Sequence, residues 1–329
     1  MLLRQFSSRQ PFLVIIGPVL SMFVLFPAYY FGLLHFSSTS FPLDQWLKGW
    51  EHIPWLLVTL ASGLIFLGSV VINLIFNRHE FNLAPSYVPS FLYAFLSTSL
   101  AMVEVSIPNL LANLFVIVGL NKQFEVWRQN RAIAEYFVAS FCYGLAALAF
   151  PPFIWLSPGM ALAVMNTRSF HWREHFLSII AFVTPFVYWW SYLFFIDRLD
   201  SFILFRTVFS FNAPEGPDWN NNYILFFGIM IGLTFLFALR SFIFLSDRSS
   251  NRARSVKRIF LIMSIAMIGS GVFSYFILHE VTPGVILLPL GIVAGNWFTN
   301  YRYSLIAPFM FYGLILSCIA LLLHIFGRI

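Results

Sequence analysis

The sequence predicts an all-α, polytopic transmembrane bundle of about eleven spans, and three observations point to it. Only 10% of the 329 residues are charged against 60% hydrophobic, and the mean hydropathy is +0.82. The charges sit in short clusters, and the apolar runs between them approach one bilayer thickness, since a hydrocarbon core of about 30 Å takes roughly 20 helical residues. Lys and Arg, finally, collect on alternate clusters, as they do where helices cross a membrane back and forth. Little length is left for a soluble domain, so residues 1–329 read as one transmembrane domain.

In order, the spans are Phe12–Leu34, Ile53–Phe76, Tyr87–Val103, Ile107–Leu120, Ala134–Phe150, Phe153–Asn166, Phe176–Ile196, Tyr223–Leu245, Ile259–Leu278, Val285–Thr299 and Ser304–Phe326. The first is longer than a signal-peptide apolar core and has no small-residue cleavage site, so it reads as a retained span. The fourth and sixth offer only about 14 apolar residues each, roughly 21 Å of helix, which is short of the core thickness. Their outer ends are therefore expected to be recessed, one behind Glu104 in MVEVSIP and the other behind Pro151-Pro152. Short helices of this kind are tolerated where the intervening backbone is buried in protein or lines a wet cavity. Tilted helices in a thin region would explain them equally well.

With the N-terminus in the cytoplasm, 15 of the 19 Lys and Arg residues fall on that side, leaving Lys48, Arg198, Arg206 and Arg328 outside. The expected orientation is thus N-terminus in and C-terminus out, in a bacterial inner membrane. Asp44, Glu51, Glu104, Asp197, Asp200, Glu215, Asp218 and Glu280 all fall outside, so the outer face is net negative. The formal charge of +6 follows from this topology and does not call for a nucleic-acid partner. Trp189 and Trp190 fall near the outer end of the seventh span, where amphipathic rings are at home, although a core-filling role serves as well. Ser201–Asn222 reads as a surface helix or hairpin. NLIFN (Asn73–Asn77) and NLLAN (Asn109–Asn113) echo one another, but matches so short arise by chance.

Candidate chemistry lies at the outer ends. Of seven histidines, His35, His52, His279 and His324 fall there, two of them beside acids as Glu51-His52 and His279-Glu280. With Asp44 and Glu104 these side chains could supply an acid, a base or ligands in an outward cavity. Among these four histidines no HxxxH or HExxH spacing occurs, so neither a metal nor another cofactor is expected. Cys142 and Cys318 lie in apolar runs without a CxxC partner and read as inert buried thiols. Almost no ionisable group sits at mid-span, which argues against ion-coupled transport; Arg240 is close enough to the cytoplasmic end to snorkel. GIMIG (Gly228 to Gly232) and GIVAG (Gly291 to Gly295) are close-packing motifs, for internal packing more than for dimerisation. The cluster at 247–258 could hold anionic lipid head groups through Arg252, Arg254, Lys257 and Arg258, or could serve only as a topological anchor.

The run FCYGLAALAFPPFIWLSPGMALAVMNTRSFHWREHFLSIIAFVTPF (Phe141–Phe186) has a characteristic cadence: a Gly-containing helix, a Pro turn, a short helix ending in basic residues and a WRE turn into a Pro-kinked span. It resembles a family of multi-spanning inner-membrane proteins of gram-negative bacteria. More distantly it is similar to the central module of GT-C integral-membrane glycosyltransferases, which use polyprenyl-phosphate-linked sugars. That likeness implies a catalytic acid in the first outer loop, and the matching residue is Asp44 in SFPLDQW, with Glu51 as the alternative. Glu104, His52, His279 and Glu280 would then line the cavity around a polyprenyl-linked substrate. The rival expectation is a non-catalytic subunit packed against other membrane proteins in an envelope assembly, for which the 41 Phe residues offer ample apolar surface.

Overall fold

The computed structural model describes residues 12–34, 53–82, 85–126, 132–167, 172–197, 222–246, 250–273, 284–300 and 306–327. Eleven α-helices are found there, one on each apolar run: α1 Phe12–Tyr30, α2 Pro54–Arg78, α3 Val88–Ala101, α4 Ile107–Glu125, α5 Ile133–Ala149, α6 Leu156–Thr167, α7 Trp172–Phe195, α8 Asn222–Ser246, α9 Asn251–Phe273, α10 Gly284–Thr299 and α11 Ile306–Phe326. A 3-10 turn, Pro151–Trp155, leads into α6. Five helices, α2, α7, α8, α9 and α11, are long and apolar enough to cross a membrane. The others are shorter or less apolar. The surface segment expected at Ser201–Asn222 lies outside the described residues apart from its last residue, which opens α8.

Two of the shorter helices form the centre. In α10 every residue from Gly284 to Phe298 except Ile286 is buried, and α3 is buried along all but one residue of its length. A helix that is apolar all round belongs in an interior, and α3 adds hydroxyls that stay satisfied locally: Thr98 donates to the Ala94 carbonyl at 2.7 Å and Ser99 to that of Phe95 at 3.0 Å. Around this pair stand α1, α2, α4, α8, α9 and α11, while α5 packs on α4, and α7 packs on α5. The outermost layer is the most apolar to its surroundings. Phe176, Ile179, Val183, Val187 and Phe194 of α7 are all exposed, as suits a face against lipid.

Close approach of α3 and α10 depends on Gly291 and Gly295. A Cβ placed on Gly295 would lie 2.6 Å from Pro89 Cγ, so the GIVAG motif packs internally. GIMIG on α8 does not: Gly228 and Gly232 have nothing within 4 Å of where a Cβ would stand. Both cysteines are buried and free.

The expected shortness holds for α6, with 12 residues, and fails for α4, with 19. Helix α4 runs past Leu120 through Asn121, Lys122, Gln123 and Glu125 because each of these polar side chains finds a partner. Lys122 pairs with Glu125 at 3.0 Å, Gln123 accepts from Tyr143 at 2.6 Å, and Asn121 meets His79 at 3.0 Å. Apolar run length understates a helix whose polar end is clothed by its neighbours.

Candidate functional site

Side-chain contacts gather the polar residues at two ends of the bundle. One end brings together the last turns of α2, α4 and α10 with the first turns of α3 and α9, and it is basic. Arg78 bridges to Glu125 at 3.0 Å. Beyond Arg78 the chain turns inward through Glu80, which has a left-handed φ of 54°, and buries His79 and Phe81. Phe81 stands among Phe76, Phe124, Phe242 and Phe260, with ring centroids 5.6 to 6.1 Å apart. Burial holds the His79 imidazole below its ordinary pKa; the hydrogen bond that its Nε2 makes to Asn121 Oδ1 works the other way, and the charges of Arg252 and Arg78 press it lower.

At this end the four basic residues of α9 do not share one direction. Arg258 is exposed, Arg252 and Arg254 are half-buried, and Lys257 is only 4% exposed, its ammonium lying 5.6 Å from the centre of the Phe242 ring.

The opposite end holds Glu104, together with described residues that flank the segments carrying the other predicted reactive residues. Glu104 is half-buried in the turn between α3 and α4, flanked by buried Met102 and Val105. Its amide donates to the Leu100 carbonyl at 3.1 Å, which fixes the turn. One apolar cluster holds Met102, Val105 and Ile107 of this turn together with Leu25 and Ala28 of α1 and Leu57 of α2; Leu33, Leu34 and Leu322 pack on it. Asp44, Glu51, His52 and His35 belong to the segment between Leu34 and Ile53, outside the described residues. Its two described flanks thus rest beside the Glu104 turn.

Below Glu104, Asn109 and Asn113 are buried on α4. The Asn113 amide donates to Asn109 Oδ1 at 3.2 Å and to the Gly284 carbonyl at 3.0 Å. Its own Oδ1 is buried and accepts no hydrogen bond among the described residues. Gly284 opens α10 and directly follows the segment carrying His279 and Glu280, which also lies outside the described residues. His324 sits elsewhere at this end, stacked on Tyr223 with centroids 4.2 Å apart. Among the described residues no group of three or more His, Cys, Asp or Glu could hold a metal ion. What the described part offers is a half-buried Glu104 in the turn before α4 and, in the first two turns of that helix, the buried amides of Asn109 and Asn113.

The asparagines were the signal that composition and motif reading missed. NLIFN and NLLAN share one geometry: in both, the second Asn donates to the Oδ1 of the first at 3.2 Å. A third pair, Asn296 and Asn300, does the same at 2.8 Å. Each pair also clamps the backbone of another segment, Asn77 to Ser86, Asn113 to Gly284, and Asn296 to Phe81. The spacing i, i+4 puts both amides on one helix face, so N-x-x-x-N in an apolar run is a readable mark.

Among the described residues, eleven α-helices and no strand, with five of the helices long and apolar enough to cross a membrane, support a helical membrane protein. Against known proteins, the chain matches no family model, no curated protein and no solved structure.

Proposed function

We propose that this chain lies in a bacterial inner membrane with its N-terminus in the cytoplasm, and that the Glu104 end opens outward as a site for a lipid-linked envelope substrate. The supporting observation is shared placement: Leu33, Leu34 and Leu57, near the ends of the loop that carries Asp44, Glu51 and His52, pack with the Glu104 turn, and Gly284, which follows the loop that carries His279 and Glu280, meets Asn113 of the same helix as Asn109. The buried basic end fits the cytoplasmic side on the same reading. In this site Asp44 is the base, with Glu51 as the alternative, and the substrate is a polyprenyl-linked sugar or a chemically similar amphiphile.

Two experiments test it together. Cysteine at position 104 should react with a small membrane-impermeant thiol reagent added outside and resist a bulky one; equal, rapid reaction with both removes the cavity. Asp44→Asn should abolish the activity scored by complementation without lowering protein level, and full complementation removes the catalytic role.

A second reading, a subunit docked on other membrane proteins, draws on α8. There Gly228 and Gly232 face open space between exposed Leu225, Ile229, Leu233 and Leu236, a face onto which another helix could pack closely. Purification in mild detergent followed by mass spectrometry decides between them. A stoichiometric partner protein favours docking, whereas a monomer with a bound polyprenyl lipid favours the outward site.

A further inference from the structure

The turn after α2 joins α2 to α4, α8, α9 and α10 through a single residue. Beyond Arg78 the backbone reverses at Glu80, whose φ of 54° is rare outside glycine and persists where surrounding contacts over-determine it. Those contacts belong to Phe81. Its amide donates to the Phe76 carbonyl of α2 at 3.2 Å, its carbonyl accepts from Asn296 Nδ2 of α10 at 2.9 Å, and its ring lies among Phe124 of α4, Phe242 of α8 and Phe260 of α9. The turn is anchored from every side.

His79 closes it. The imidazole is fully buried, lies edge-on to the Phe124 ring with centroids 5.1 Å apart, and brings Nε2 to 3.0 Å from Asn121 Oδ1. Its Nδ1 is buried too and has no hydrogen-bond partner among the described residues. A neutral ring suits these surroundings, because its one N–H serves Asn121 and its other nitrogen is bare. An imidazolium does not. It carries two N–H groups where one acceptor is found, so the second becomes a buried donor without a partner on a buried charge. The charged groups that face the ring from three helices do not remove this cost. Arg252 of α9 and Arg78 of α2 repel the cation, while Glu125 of α4, which attracts it, is already bridged to Arg78 and Lys122 at 3.0 Å each.

We infer that His79 is a proton-operated latch: neutral, it keeps Phe81 seated among α4, α8, α9 and α10, and protonated, it leaves Asn121 and lets the turn open. Water drives the opening by offering the second N–H an acceptor. Opening also releases Glu80 from its left-handed conformation and frees the Asn296 end of α10 from the α2 turn. A proton taken up at one side chain thus loosens the contacts of several helices at once. The latch is at the opposite end of the bundle from Glu104 and does not depend on the outward site.

Hydrogen exchange of the full chain in neutral phosphatidylcholine nanodiscs tests it, read by mass spectrometry on peptides covering residues 76–82 and 90–98 and corrected for the chemical pH dependence of exchange. Opening returns His79 to its ordinary 6.5, so the opening equilibrium reported by the Glu80 and Phe81 amides should rise by up to about 10-fold between about pH 7.5 and about pH 5.5. At both pH values these amides should exchange through a more frequent opening than those inside α3. No rise overturns the inference. So does one common opening for the turn and α3, since the whole fold then opens together. His79→Gln keeps a donor for Asn121 but takes up no proton, and its turn should change less than about twofold over the same range. An acid response equal to wild type in this variant removes the latch. Asn121→Asp gives the imidazolium a carboxylate and should suppress the acid opening. If it opens with acid as wild type does, the imidazolium is not the trigger and the inference falls. Should His79→Gln fail to fold, Asn121→Asp decides alone.

Discussion

Replacing Gly295 with Ala separates packing from helix propensity when it is paired with the same change at Gly232. At Gly295 the new methyl would lie 2.6 Å from Pro89 Cγ and 3.0 Å from Pro89 Cα, and the second atom is backbone. Carbon atoms prefer separations of about 3.5 to 4.0 Å, so α3 and α10 must move apart by on the order of half an ångström to one ångström. Overpacking of this kind costs about 1 to 3 kcal/mol. Against it stands the gain of Ala over Gly inside a helix, up to about 1 kcal/mol. At Gly232 nothing lies within 4 Å of the added methyl, so only the gain remains. The propensity term is common to both sites, and the difference between the two variants should therefore be the overpacking alone, about 1 to 3 kcal/mol with Gly295→Ala the less stable. Unfolding of the purified chain in mixed micelles, titrated with a denaturing detergent and followed by Trp fluorescence, reads that difference. Equal midpoints for the two variants would refute close α3–α10 packing through this glycine.

Other expectations come from the buried hydrogen bonds. Asn77→Ala strands the Ser86 amide, which donates to Asn77 Oδ1 at 2.9 Å, and should cost about 1 to 3 kcal/mol in the same assay; a loss below a few tenths would mean that water replaces the side chain. Tyr143→Phe leaves Gln123 Oε1 buried without its 2.6 Å donor, with a loss of similar size that Gln123→Leu in the same protein should partly restore. His79 adds a pH dependence. Its imidazole, facing Asn121, Arg252, Arg78 and Glu125, titrates in the fold below its ordinary 6.5. The stability this contributes is complete above 6.5 and is lost as pH falls from there through the folded value. The unfolding midpoint should thus drop between about pH 7 and pH 5 in wild type and drop less in His79→Gln, and parallel slopes would count against a buried neutral imidazole.

How far the sequence is legible depends on which force shapes each part. The apolar runs mark where all eleven helices lie, because helical backbone is the only way to keep polar amides satisfied in hydrocarbon. Run length alone, however, does not separate α3 and α10, which are buried almost throughout, from α7, whose long faces are exposed. In lipid both kinds of surface are apolar, so hydropathy cannot tell a neighbouring helix from an acyl chain. The extra five residues of α4 went unread for a related reason: Asn121 to Glu125 look like a loop until His79, Tyr143 and Arg78 arrive from other helices. Of the candidate site, the turn that carries Glu104 is legible from MVEVSIP, whereas Asn109 and Asn113 are not, since a short repeated pattern means little before its partner, the Gly284 carbonyl, is known.

The three asparagine pairs bear on why this bundle has one arrangement. Packing Leu or Phe against Leu gains little over packing it against lipid, so apolar burial cannot by itself choose a register for the two central helices. Polar and steric features can. Helix α10 is fixed at its start by Asn113 on the Gly284 carbonyl and near its end by Asn296 on that of Phe81, while α3 is entered through Ser86, held at both backbone atoms by Asn77. Between these clamps Gly291 and Gly295 let α10 lie directly on Tyr93 and Pro89 of α3. A slip of either helix by one turn would break an amide bond at an end and drive a side chain into a glycine notch in the middle. Each penalty is of the order of 1 to 3 kcal/mol, and because the same slip incurs them together, a few small residues specify an interior that the many phenylalanines only fill.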